Sequence, residues 1–74
     1  MDVNLKIEAL KLKYEAKMKE SLANMDVYLN NTTGIGEHPD IIESMSQILE
    51  KYDSAKGKLD SLYEMINTLN KNTK

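Results

Sequence analysis

Two long stretches of the chain place apolar residues at helical spacing, and a short polar stretch separates them. In the first, Val3, Ile7, Leu10, Tyr14, Met18, Ser21, Met25 and Leu29 recur at intervals of 4, 3, 4, 4, 3, 4 and 4 residues. Their period, close to 3.67 residues, is that of a nearly straight α-helix. In the second, Ile41, Met45, Ile48, Tyr52, Ala55, Leu59, Leu62, Ile66 and Leu69 follow a strict four-then-three alternation, a heptad repeat sustained over about four heptads. The pattern predicts a first helix over about residues 3–29, a turn over 30–38, a second helix over 39–69 and a frayed polar tail over 70–74.

The segment from Asn30 to Pro39 explains the break. Asn30, Asn31, Gly34 and Gly36 tolerate the left-handed backbone that ends a helix, and Pro39 suits the first turn of the next, where its missing N–H would have no partner anyway. Glu37, Asp40 and Glu43 set negative charge near the positive end of the second helix dipole. A connection this short folds the two helices back on each other, antiparallel. Residues whose numbers sum to about 70 then face one another: Met25 and Met45, Met18 and Tyr52, bulky Tyr14 and small Ala55, Leu10 and Leu59, Ile7 and Leu62, Val3 and Ile66.

One hairpin does not use up the apolar surface. The second helix carries a further stripe, Ile42, Leu49 and Tyr63, each one position after a seam residue, with Met65 on its other flank. On the first helix Leu5, Ala9, Leu12, Ala16, Lys19 and Ala23 run along the side turned away from the seam, with alanine at every seventh residue. Alanine is the best helix former and is at home where nothing packs. Small residues at this spacing also let two helix backbones approach closely. The second property assigns Leu5, Ala9, Leu12, Ala16, Ala23, Ile42, Leu49 and Tyr63 to an interface between chains. The fold expected is therefore all-α, a two-helix antiparallel, coiled-coil-like hairpin that completes a four-helix bundle by homodimerisation.

Size supports that expectation. The 74 residues amount to 8.4 kDa, and a chain this short hides too little surface for a lone core to be secure. No cysteine is present to staple it, and one histidine is too few for a structural zinc site. Ten lysines and no arginine stand against twelve acidic residues, for a formal charge of -2, which disfavours a nucleic-acid binder. No stretch is apolar enough for a membrane span or a signal peptide, so a cytoplasmic, soluble chain with no membrane partner is expected.

Candidate chemistry is sparse. Gly34-Ile35-Gly36 ahead of a helix start has the outline of an anion-binding turn, but no strand precedes it and Glu37 and Asp40 would repel an anion. His38, the only imidazole, stands beside carboxylates at a helix start, where an N-cap or exposed role is commoner than metal ligation. Gly34, Gly36, His38 and Pro39 are thus read as turn residues. Lys6, Lys13 and Lys17 form a solvated stripe flanked by Asp2 and Glu20. Gly57, mid-way along the second helix, points away from the seam and is either a tolerated exposed glycine or a bend near Ser54–Lys58. With one histidine, no cysteine and no room for a pocket of about 300 Å³ between two helices, no catalytic site and no cofactor is expected.

The segments Tyr28-Leu29-Asn30-Asn31, Gly34-Ile35-Gly36-Glu37-His38-Pro39, Leu5-Lys6-Ile7-Glu8-Ala9-Leu10-Lys11 and Lys58-Leu59-Asp60 resemble small uncharacterised helical-hairpin proteins of tailed, T4-like marine bacteriophages. The resemblance implies a virus-encoded accessory protein in a bacterial host cytoplasm and brings no catalytic or ligand residues with it. Two functions follow as expectations. One is a non-enzymatic interaction or scaffolding module whose partners are a second copy and a further protein, a bacterial host protein being a candidate. The other is a small inhibitor captured by a host protein through the alanine-rich face, with nucleic-acid binding a more distant third.

Overall fold

The computed structural model describes residues 2–30 and 40–72 and consists of two helices, α1 (Asp2–Asn30) and α2 (Ile41–Asn72). Their pairing is antiparallel. Lys11, early in α1, lies over the ring of Tyr63, late in α2, whereas Met25 near the end of α1 shares a groove with Ile48 near the start of α2. Tyr14 and Ala55 border a common groove, as the expected register requires. The hairpin is a rod of 59 × 18 × 13 Å with a radius of gyration of 17.1 Å, against about 11 Å for a compact domain of this length.

Helix α2 begins at Ile41, two residues later than the sequence pattern suggested. The Ser44 N–H donates to the Asp40 carbonyl at 2.9 Å, which makes Asp40 the residue that caps the helix. Asp40 and Glu43 stand at the spacing of a capping box, a signal that the placement of Pro39 at the helix start overlooked. Gly34, Gly36, His38 and Pro39 lie outside the described residues. At the far end α2 runs to Asn72, so Asn70 and Lys71 are helical rather than frayed. No Gly or Pro interrupts this stretch, and Lys71 in the last turn complements the negative end of the helix dipole.

The seam corrects the reading of α1. Its covered positions are Ile7, Lys11, Tyr14, Met18, Ser21, Met25 and Tyr28, a four-three alternation like that of α2. Leu10 is 41% exposed and Leu29 is 60% exposed, and Lys11 and Tyr28 occupy the seam in their place. The cause is geometric: a partner with a strict heptad stays in contact only if both helices supercoil, which brings α1 to about 3.5 residues per turn along the seam. A series spaced at about 3.67 drifts off that line within a few turns. In α2 the heptad holds from Ile41 to Ile66, while Leu69 is exposed.

The core is thin. Among the described residues the buried ones are Ala55 at 4%, Leu59 at 7% and Ser21 at 4%, and no large side chain is fully enclosed. Lys11 is half-buried at its seam position, with its ammonium 5.9 Å from the Tyr63 ring centre, a placement that its long alkyl stem allows. Gly57 marks no close approach. Helix α2 is continuous across it, and a Cβ added there would meet nothing within 4 Å.

Candidate interaction surface

The shared heptad fixes what lies on each broad side of the hairpin. In α1, Lys11, Met18 and Met25 take position a and Ile7, Tyr14, Ser21 and Tyr28 position d. In α2, Met45, Tyr52, Leu59 and Ile66 take a, and Ile41, Ile48, Ala55 and Leu62 take d. When two helices pair antiparallel, the e positions of both border one side of the seam and the g positions of both border the other.

The e side carries Glu8, Glu15, Leu22 and Leu29 from α1 and Ile42, Leu49, Lys56 and Tyr63 from α2. Leu22 and Leu49 border one groove of about 200 Å³, floored by Ser21, Met25, Ile48 and Tyr52, which sets them level with each other. One heptad toward the turn, Leu29 comes level with Ile42. One heptad the other way, Glu15 comes level with Lys56. Leu22, Leu29, Ile42 and Leu49 are all exposed, Ile42 at 75%, and together form an apolar patch near the turn end. Glu15, Met18, Lys19 and Leu22 border a further groove, so the Glu15 carboxylate and the Lys19 ammonium sit beside the patch.

The g side is basic. Tyr14, Lys17, Lys51, Ser54, Ala55 and Lys58 line an open trough of about 390 Å³, in which the Lys58 ammonium donates to the Ser54 hydroxyl at 2.7 Å. Its volume corrects the expectation that two helices leave no space of this size. Small Ser54 and Ala55 opposite the Tyr14 ring open the gap. The trough offers three ammonium groups, one carboxylate from Glu50, the Ser54 hydroxyl and the Tyr14 phenol, with no imidazole or thiol to act as base or nucleophile.

The residues expected at an interface fall on two sides. Ile42, Leu49 and Tyr63 lie on the e side, and exposed Leu5 and Leu12 border it at position b. Ala9, Ala16 and Ala23, also exposed, occupy position f on the back of α1, opposite the seam. The sequence pattern leaves Leu22 out of the interface and sets Leu29 in the seam, whereas both stand on the e side. Reading α1 at a period of 3.5 would have found both, since Glu8, Glu15, Leu22 and Leu29 are spaced seven apart.

Among the described residues no group of three or more His, Asp or Glu side chains is placed to hold a metal ion. No described helix is long and apolar enough to cross a membrane. No protein-family model matches the chain, and neither a curated protein nor a solved structure matches it.

Proposed function

We propose that the chain is a non-enzymatic protein-interaction or scaffolding module whose working form is a self-associated hairpin, two copies making a four-helix bundle. The observation that carries this reading is the imbalance between covered and uncovered apolar side chains. Ala55 and Leu59 are the buried apolar residues among those described, whereas Leu5, Leu12, Leu22, Leu29, Ile42, Leu49 and Met65 are each more than half exposed. The accessible surface is 6131 Å², about a third above the roughly 4,600 Å² typical of a folded monomer of this mass. Covering one leucine side chain contributes about 1.5–3 kcal/mol, so burying several from each copy is comparable to the whole stability of a small domain. A bundle so formed keeps its outward helix faces free for a further protein.

Thermal unfolding followed by circular dichroism tests this reading. If association and folding are coupled, the melting temperature of the full chain rises with protein concentration between micromolar and millimolar. A melting temperature that does not move over that range contradicts it.

A further inference from the structure

We infer that the second copy docks on the e side, face to face about a two-fold axis parallel to the rod, so that both turns lie at the same end of the bundle. This rests on the self-association reading and adds to it which face is used and in which orientation.

The rotation sets α1 of each copy opposite α2 of the other and keeps every level along the rod. Leu22 then meets Leu49 of the second copy, and Leu29 meets its Ile42. At the next level Glu15 meets Lys56 of the second copy. On the flank, at position b, Lys19 meets Asp53, which stands at the same height on α2. Each of these charge pairs occurs twice in the dimer and each joins opposite signs. The paired helices, about 45 Å long at 1.5 Å per residue and 18 Å across, offer roughly 800 Å² per copy, the size per partner of a standard stable interface.

With the rods fully overlapped, the other arrangements of the broad sides bring like charges together. The same rotation on the g side brings Lys17 against Lys51, with Lys58 nearby, and like charges brought together oppose docking. Turning one copy end over end on the e side sets Lys19 against Lys19 and Asp53 against Asp53, and drives Glu15 and Lys56 onto leucines. Charge buried without a partner is costly. A copy docked on the alanine row at the back of α1, opposite the seam, would leave Leu22, Leu29, Ile42 and Leu49 uncovered.

Mixing two single variants tests the inference. Glu15→Lys and Lys56→Glu each place like charges across the interface and are expected to weaken self-association about tenfold. An equimolar mixture is expected to form a one-to-one heterodimer close to wild-type affinity, because every interchain pair is then opposite in sign although each hairpin still carries its own like-charged pair. Glu64→Lys and Lys6→Glu change net charge equally but lie off the face, and neither alone nor mixed should alter association. A spin label at Lys71→Cys should report an interchain distance within about 30 Å, the width of a four-helix bundle with its labels. A mixture no tighter than either variant, controls that behave like the test pair, or a label separation near the length of the rod overturns the docking geometry while leaving self-association standing. A wild-type chain that stays monomeric at millimolar concentration overturns both.

Discussion

On one broad side of the hairpin Leu22, Leu29, Ile42 and Leu49 stand beside Glu15 and Lys56; on the other, Lys17, Lys51 and Lys58 border a trough over Tyr14 and Ala55. Both sides flank the same seam and take their residues from the same heptad, one position before or after it. The seam alone makes a hairpin, and it is thin enough that the flanks decide what happens next. Uncovered leucines with charges of both signs can receive a copy of themselves. Three lysines with one neighbouring carboxylate oppose it, because a two-fold axis would bring like charges together.

Breaking the seam has the largest expected effect and erases the difference between the sides. Leu59→Ala removes the most enclosed large side chain and should cost about 2–5 kcal/mol, read as a large fall in the midpoint of urea unfolding. Substituting the flanks separates them. Leu49→Lys should weaken self-association at least about a hundredfold by sedimentation, since it removes a covered leucine from each copy and adds charge. Met65→Lys, on the g side and equally exposed, should leave the mass in solution unchanged. Equal responses of the two variants would show that the sides are not distinguished by docking. The smallest effect is expected at Gly57, where an alanine enters open space on a regular helix. Gly57→Ala should raise stability by about 1 kcal/mol without altering association.

Much of the hairpin was legible in the sequence because the heptad of α2 is regular and its turn end is marked by Asn, Gly and Pro. The pairing of Tyr14 with Ala55 was legible too, since large-against-small is a constraint that single residues express. The seam of α1 was not. Its most hydrophobic line, through Leu10 and Leu29, is not the line that meets α2, because supercoiling is imposed by the partner and not by α1. A lysine in a seam position reads as polar in sequence, although Lys11 is half-buried and its ammonium finds the Tyr63 ring. Misplacing Leu29 in turn hid Leu22, and with it the fact that apolar residues of both helices converge on one side.

The alanines of α1 show the complementary difficulty. Ala9, Ala16 and Ala23 repeat as regularly as any seam, yet they stand opposite it. Helix propensity alone accounts for alanine on an exposed face. Spacing in sequence identifies a stripe, and only its position relative to the seam and to charge shows whether a second copy fits on it.

Sedimentation equilibrium of the unmodified chain from micromolar to millimolar concentration tests the central claim most directly. The account predicts a mass that rises from 8.4 kDa toward twice that value and levels off there, as two rods close over their leucines. A mass fixed at 8.4 kDa across the whole range would contradict it.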